Sequence, residues 1–168
     1  MKKIGLFYGD KAKKTAVIAK KIEEEFGNGL TVVPVEKAWS KDFEEFDNLI
    51  IGTSTWFDGE LPTYWDEVIP ELVSLDLKGK KVAIFGLGDQ VNYPDNFVDG
   101  IGILAEAIQG VGATIIGQTP AEGYQFSQSR ALKDGKLLGL AIDMENQPDK
   151  TDGRIKEWCK QIKKEFGK

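Results

Sequence analysis

Residues 3–26 read KIGLFYGDKAKKTAVIAKKIEEEF, a short apolar run followed by a polar loop and a helical pattern. The run of apolar residues at 4–8 is typical of a buried strand. After the loop, mostly apolar residues recur at helical spacing and predict one buried stripe, formed by Thr15, Ile18, Ala19, Ile22 and Phe26. This stretch therefore predicts a strand that passes through a loop directly into a helix.

The same alternation continues along the chain. Further β-rich runs lie at residues 30–35, 49–51, 82–85 and 114–117, and helical patterns lie at about 62–72, 95–109 and beyond Pro148. Such alternation predicts an α/β fold whose parallel sheet is covered by helices on both faces. Ligands of these sheets bind outside the carboxyl ends of the strands, where the strand order reverses. The loops after residues 8, 52 and 85 are therefore the candidate site.

Two elements carry more specific expectations. Pro34 lacks an amide donor, so the second strand is expected at an edge of the sheet. Thr151 or Asp152 is expected to be the N-cap of the last helix. Cys159 falls inside the apolar stripe of that helix, which favours a packing role over a reactive one.

One stretch interrupts the alternation of strands and helices. Residues 118–139 are polar, contain glycines and include Tyr124 and Phe126. We call them the long excursion. A segment of this length inside a compact domain tends to be functional or mobile.

The chain length, the net charge and the residue composition exclude several classes of function. The 168 residues suggest one domain, and a net charge of −5 argues against a nucleic-acid partner. One cysteine and no histidine rule out an internal disulfide, a Ser/His/Asp or Cys/His catalytic site and a His-ligated metal. No run reaches membrane-spanning length, and nothing argues for export, so a cytoplasmic location is expected. Difficult chemistry would need a bound organic cofactor.

Charge is distributed unevenly along the chain. Residues 36–76 contain 11 acidic and two basic residues, a net charge of −9, while the remainder carries +4. Such a segment is either an ordinary solvated surface or a docking face for a basic protein.

The second and third candidate loops each present an aromatic residue among polar neighbours. Residues 52–62 read GTSTWFDGELP, and residues 86–96 read GLGDQVNYPDN. Both follow predicted strands, so Trp56 and Tyr93 are expected at the same edge of the sheet. A flat heteroaromatic ring between them would use both, since aromatic stacking contributes about 0.5–1.5 kcal/mol beyond burial.

At this point the whole chain resembles the flavodoxin family, specifically its long-chain members. The resemblance rests on the motifs IGLFYG at 4–9, LIIG at 49–52 with Thr55, Trp56 and residues 59–61, and FGLGDQ at 85–90 with Tyr93, Asp95, Asn96 and Phe97. Residues 123–124, 139–141 and 151–152 follow in register. It implies a single domain over residues 1–168, a five-stranded sheet of order 2-1-3-4-5, and a fifth strand split by the long excursion.

The resemblance also implies a function. Family members bind FMN non-covalently and carry single electrons at low potential between a reductase and acceptor proteins. It implies that Trp56 and Tyr93 enclose the isoalloxazine, that the Phe57–Asp58 peptide turns toward it, and that Asp143 or Glu145 lies near the ribityl chain. The cofactor-binding residues it implies are Gly9, Asp10, Lys11, Ala12, Lys13, Lys14, Thr15, Thr53, Ser54, Thr55, Trp56, Phe57, Asp58, Gly59, Gly86, Leu87, Gly88, Asp89, Tyr93, Asn96, Phe97 and Glu145.

Partners follow from the same resemblance. The acidic segment would dock basic redox proteins, namely a flavodoxin or ferredoxin reductase and an electron acceptor. The protein would act as a monomer, without a membrane or a metal. Two alternatives remain open at this point: an FMN-dependent quinone or small-molecule reductase, and a binding or regulatory module on the same fold that has lost its cofactor.

The first loop departs from the family pattern, which places hydroxyls and a glycine before the helix. Here the loop reads DKAKKT at 10–15, and only Thr15 is retained. An ionised Asp10 about 4 Å from a phosphate charge would cost on the order of 4 kcal/mol, so it must point away, be screened, or weaken binding. Lys11, Lys13 and Lys14 suggest that ion pairing replaces the hydroxyls, and the competing hypothesis is that riboflavin binds nearly as well as FMN.

Overall fold

The computed structural model describes residues 2–56 and 58–167. Its helices are α1 (Lys13–Phe26), α2 (Ser40–Glu45), α3 (Thr63–Leu72), α4 (Asp99–Gly110) and α5 (Thr151–Phe166). Its strands are β1 (Ile4–Tyr8), β2 (Leu30–Pro34), β3 (Asn48–Ser54), β4 (Lys81–Leu87), β5 (Thr114–Ile116), β6 (Thr119–Pro120), β7 (Leu132–Lys133), β8 (Lys136–Leu137) and β9 (Leu140–Ile142). Short 3₁₀ turns at Val35–Lys37 and Pro148–Lys150 precede α2 and α5.

The main sheet is parallel and has the order β2-β1-β3-β4-β5. The order reverses after β1, and the strand that contains Pro34 lies at one edge, so both predictions are confirmed. Two strands share the fifth position beside β4. β5 pairs with residues 81–83, the first part of β4. β9 pairs with residues 85–87, the last part of β4. The predicted α/β fold with a split fifth strand is therefore confirmed.

The long excursion occupies the chain between these two half-strands. β6, β8 and β7 form a small antiparallel sheet inside it. The Tyr124 and Phe126 rings pack against Phe97, with ring centroids 5.4 and 5.2 Å away. The Tyr124 hydroxyl also donates a hydrogen bond to the Ala141 carbonyl at 2.6 Å. The excursion is thus anchored to the domain at its aromatic residues.

Helices cover both faces of the sheet. α1 and α5 enclose one core with Ile18, Ile22 and Trp158, and α2, α3 and α4 enclose the other, with Phe43 and Trp65. Cys159 is buried in the first core, as its position in the stripe predicted. None of the helices in the described ranges is long and apolar enough to cross a membrane.

Two helix starts differ from the sequence-based expectations. α4 begins at Asp99, later than the predicted start near 95, because the chain turns before it and Val98 adopts a left-handed φ of 46°. α5 begins at Thr151 itself, and Lys150 is its N-cap without a side-chain hydrogen bond. The prediction of Thr151 or Asp152 as N-cap was therefore wrong, since the preceding 3₁₀ turn continues directly into the helix.

Candidate functional site

A cavity of about 420 Å³ opens where the strand order reverses, at the carboxyl ends of β1, β3, β4 and β9. Four chain segments line it, and each follows or ends a strand of the main sheet. The lining residues are Ala12, Lys13, Lys14, Thr15, Ser54, Thr55, Trp56, Leu87, Gly88, Asp89, Tyr93, Asn96, Met144 and Glu145. All three loops that the sequence singled out therefore meet in one cavity.

One end of the cavity is aromatic. Trp56 and Tyr93 both line it and remain 38% and 50% exposed, which is unusual for large apolar side chains beside a core. The Trp56 and Tyr64 rings pack in a T-shaped arrangement, with centroids 6.4 Å apart and planes at 87°. The two exposed rings offer the flat apolar surface that a planar ring system requires.

A tight turn carries Trp56. The Trp56 and Glu60 backbones exchange two hydrogen bonds of 2.7 Å and close this turn, which we call the Trp56 turn. Gly59 has a φ of 93°, and a side chain there would also meet the Asp99 carboxylate within 2.6 Å. The turn therefore requires a glycine at this position. Phe57 and the Phe57–Asp58 peptide, expected to face the ring, lie outside the described residues.

The loop after β4 is held by Asp89. Its carboxylate accepts hydrogen bonds from the Val91 and Asn92 amides and from the Asn92 and Asn146 side chains, at 2.7–3.1 Å. Partial burial acts to raise the pKa of Asp89, but these hydrogen bonds outweigh it and hold the pKa below its ordinary value. Asp89 thus stays charged at the cavity wall at neutral pH.

Asp143 ties this loop to the segment after β9. The Asp143 carboxylate is fully buried and accepts hydrogen bonds from the Gln90 amide and side chain at 3.1 and 2.7 Å. Its other oxygen accepts from the Glu145 and Asn146 amides. Of the two acids considered for the ribityl chain, Glu145 lines the cavity, whereas Asp143 lies behind it and organises its walls.

The start of α1 forms another part of the cavity lining. Ala12 is its N-cap without a side-chain hydrogen bond, so the first-turn amides of the helix are not capped by that side chain. Thr15 is buried in the first turn. Lys13 is the first helical residue, and its φ is not among the positive values of the described non-glycine residues. A side chain is therefore accommodated where the family pattern has glycine.

The charges of this loop have defined partners. The Asp10 and Lys11 amides donate to the two oxygens of Glu36, at 3.0 and 3.1 Å. Both residues are exposed and lie outside the cavity lining, which agrees with the alternative in which Asp10 points away. Lys14 forms an ion pair with Glu145 at the cavity wall, and both side chains are about half exposed or more.

Several predicted site residues lie outside the lining. They are Gly9, Asp10, Lys11, Thr53, Asp58, Gly59, Gly86 and Phe97. Thr53, Gly86 and Phe97 are buried within the domain, and Phe97 stacks on Phe126 rather than facing the cavity. Gly9 packs against the Tyr64 ring, which lies within 2.3 Å of where a side chain would begin.

Sequence reasoning missed one lining residue. Met144 follows the apolar strand β9 by two residues, and that position beyond a strand end is the signal that would have identified it. In the described parts of the chain, no group of three or more acidic or cysteine side chains is arranged to hold a metal ion. The aromatic side chains and the lysines of the lining suit an organic ligand with an aromatic part and an anionic part.

Comparison with known proteins gives a consistent result over the whole chain. The sequence profile of the flavodoxin family matches residues 6–158. A flavodoxin from Trichodesmium erythraeum is 50% identical over 170 residues, covering 99% of this chain and 99% of that protein.

Solved structures agree. The crystal structure of Fusobacterium nucleatum flavodoxin bound to flavin mononucleotide has a TM-score of 0.94 and 36% identity, and covers 99% of both chains. A mutant of that flavodoxin with a lysine replaced by glycine, also bound to flavin mononucleotide, has a TM-score of 0.94 and 35% identity over 99% of this chain and 98% of that one. The chain described here belongs to the flavodoxin family.

Proposed function

We propose that this protein is a low-potential one-electron carrier that binds FMN non-covalently in the cavity at the carboxyl edge of its sheet. The observation that carries the proposal is that one cavity is lined by two exposed aromatic rings, two lysines and a helix start without a side-chain cap. FMN has the matching ends, an isoalloxazine and a phosphate. The family relationship and the FMN-bound flavodoxin structures support the same cofactor.

The residues divide along the cavity according to their chemistry. Trp56 and Tyr93 would enclose the isoalloxazine, and Glu145 would accept hydrogen bonds from the ribityl hydroxyls. Lys13, Lys14 and the first-turn amides of α1 would hold the phosphate, because a helix N-terminus favours anions. The remaining lining residues, Ala12, Thr15, Ser54, Thr55, Leu87, Gly88, Asp89 and Asn96, would form the walls. We assign residues 1–168 to one domain, with residues 118–139 as its insertion.

When bound, FMN supplies the redox chemistry by accepting and releasing electrons one at a time. The protein supplies the electrostatic environment. Asp58, Glu60 and Asp89 lie on the loops beside the aromatic end, and their charges oppose the addition of negative charge to a neighbouring ring. This opposition favours a low potential for the second electron, which suits a strong one-electron donor.

The acidic segment at residues 36–76 is our proposed docking face for basic redox proteins, a flavodoxin or ferredoxin reductase and an electron acceptor. It includes the Trp56 turn, so a partner attracted to it would approach the aromatic end of the cavity. Its net charge of −9 against +4 for the remainder would orient the encounter. We further propose that the protein acts as a monomer in the cytoplasm.

The direct test is to reconstitute the purified protein with FMN and to record its absorption during stepwise anaerobic reduction. Two separate one-electron steps and no steady oxidation of NAD(P)H are expected. A protein that does not bind FMN would contradict the proposal and favour a cofactor-free module. A single two-electron step with steady NAD(P)H turnover would favour a reductase.

Two tryptophan variants give a matched comparison. Trp56→Ala is expected to weaken FMN binding by about 2- to 10-fold, the equivalent of one lost stacking contact. Trp39→Ala serves as control because Trp39 is 69% exposed and lies outside the cavity lining. Equal affinities for the two variants would argue against the assigned ring site.

A further inference from the structure

A buried carboxylate lies directly behind the Trp56 turn and outside the cavity lining. Asp99, the first residue of α4, is 3% exposed. Among the described residues it has no basic partner in an ion pair. A buried carboxylate without a counter-ion is costly unless hydrogen bonds satisfy it, so the groups that bind it indicate its role.

Each oxygen of Asp99 binds a different part of the chain. Oδ1 accepts the Arg130 amide of the long excursion at 2.8 Å. Oδ2 accepts the Asn96 side-chain amide at 3.2 Å. One carboxylate thus joins the excursion to the loop that carries Tyr93.

Asn96 extends this connection to the turn. Its side-chain nitrogen also donates to the Asp58 carbonyl at 3.1 Å. Asp99 Oδ2 itself would be 2.6 Å from a side-chain carbon at Gly59, so the carboxylate lies against the turn as well. The neighbouring Gly100 amide donates to the Thr55 hydroxyl at 3.0 Å, which holds the residue before the turn.

We propose that Asp99 is a positioning residue that fixes the Trp56 turn through Asn96 and couples it to the long excursion through the Arg130 amide. The contacts are specific to this arrangement, because Oδ1 and Oδ2 face different segments. An amide in place of the carboxylate keeps one acceptor oxygen, so either the Arg130 amide or the Asn96 side chain would face another donor and its segment would be held less firmly. The effect on the flavin rests on the proposed function, whereas the effect on the turn does not.

The first measurement uses the protein without cofactor and follows hydrogen exchange of the Trp56 and Glu60 amides, which close the turn. Asp99→Asn is expected to accelerate their exchange on the order of tenfold, because the turn loses the contribution of one hydrogen bond to a charged group. Asp95→Asn is the matched control, since Asp95 is exposed and outside the cavity lining. Unchanged exchange in Asp99→Asn, or equal acceleration in the control, would overturn the proposal.

We call the hydrogen bonds from Asp99 through Asn96 to the Asp58 carbonyl the relay. A second variant distinguishes an effect of the relay from general destabilisation, and it remains informative if Asp99→Asn does not fold. Asn96→Ala removes the middle group and leaves the Asp99–Arg130 hydrogen bond in place. It is expected to accelerate the same two amides, and the double variant should add little to it, because groups in one relay are not additive. Unchanged exchange in Asn96→Ala, or full additivity, would overturn the relay.

The third measurement addresses the bound flavin. In Asp99→Asn loaded with FMN, the second midpoint potential should rise relative to the first, since a nearby negative charge has been removed. The expected change in the separation of the two midpoint potentials corresponds to about a tenfold change in the equilibrium constant that this separation sets. An unchanged separation would overturn the coupling to the cofactor. Failure to bind FMN would contradict the proposed function alone, because the exchange measurements would still decide the role of Asp99.

Discussion

At the scale of single residues, two distant carboxylates determine how the charges of the first loop are used. Glu36 binds the Asp10 and Lys11 amides and lies outside the cavity, while Glu145 pairs with Lys14 at the cavity wall. Glu145 is therefore the acidic partner of Lys14. A phosphate that binds at α1 must compete with Glu145 for this lysine.

This competition predicts opposite effects for two substitutions. Glu145→Gln is expected to tighten FMN binding by about 2- to 5-fold, because an exposed ion pair contributes roughly 0.2–1 kcal/mol and the glutamine oxygen still accepts a hydrogen bond. Lys14→Gln is expected to weaken FMN binding by a similar factor. Both are measured by fluorescence titration of the cofactor-free protein.

The controls separate charge from structure. Riboflavin lacks the phosphate, so its affinity should be the same in both variants, and added salt should reduce the differences for FMN. Lys20→Gln removes an exposed α1 lysine outside the cavity lining and should leave both affinities unchanged. Weaker FMN binding by Glu145→Gln would contradict the competition.

At the scale of elements, α1 and α5 pack side by side over one face of the sheet and enclose Cys159. The thiol lies 3.9 Å from the Ile22 carbonyl of α1. Burial raises the pKa of Cys159 to about 11, from an ordinary value of 9.0. A protonated, enclosed thiol is a poor nucleophile, so the helix pair protects it from modification.

This protection predicts the reactivity and the alkaline stability of the protein. At pH 8, an aromatic disulfide reagent should modify the native thiol at least about a thousandfold more slowly than the unfolded thiol, since modification requires opening. Because the folded pKa is raised, the thiol stabilises the fold fully below pH 9, and this contribution is lost as the pH rises toward 11.

Urea unfolding at pH 8 and pH 11 tests the second part. The free energy of unfolding should fall more between these values for the natural protein than for Cys159→Ala, which has no thiol to titrate. Rapid modification of the native thiol at pH 8 would show that the two helices separate readily. An identical pH dependence in both proteins would argue against the raised pKa.

At the scale of the whole molecule, the reversal of strand order places the cavity beside the acidic segment. Of the lining residues, Trp56 belongs to that segment, whereas Lys13 and Lys14 do not. The charge asymmetry therefore runs along the cavity. It would favour the approach of a basic protein at the ring end.

Electron transfer from the reduced, FMN-loaded protein to a basic haem protein such as cytochrome c tests this orientation by stopped flow. Its rate should fall by about tenfold or more between low and moderate salt, because screening shortens the range of the attraction. Glu67→Lys, at an exposed position of α3, should slow the transfer further, and Glu157→Lys, at an exposed position of α5, should have a smaller effect. Equal effects of the two reversals would argue for non-specific attraction.

Much of this molecule follows from the sequence alone. Apolar periodicity and alternation predicted the strands, their parallel arrangement, the edge position of Pro34 and the three loops that line the cavity. These features depend on local patterns of side chains, which act over a few residues and are visible in the chain itself. The later start of α4 was not predictable in this way, because a left-handed residue and a turn precede it.

Only the tertiary structure decided which groups face the cavity and which partners they have. Lys14 and Glu145 are 131 residues apart, and Glu36 binds amides about 25 positions before it. Asp99 connects the turn to the long excursion, while Phe97, two residues earlier, is buried against it. The choice of partner for a charged or polar group depends on which segments the fold brings together. The sequence determined where the cavity would be, and the packing of distant segments determined how its walls are held.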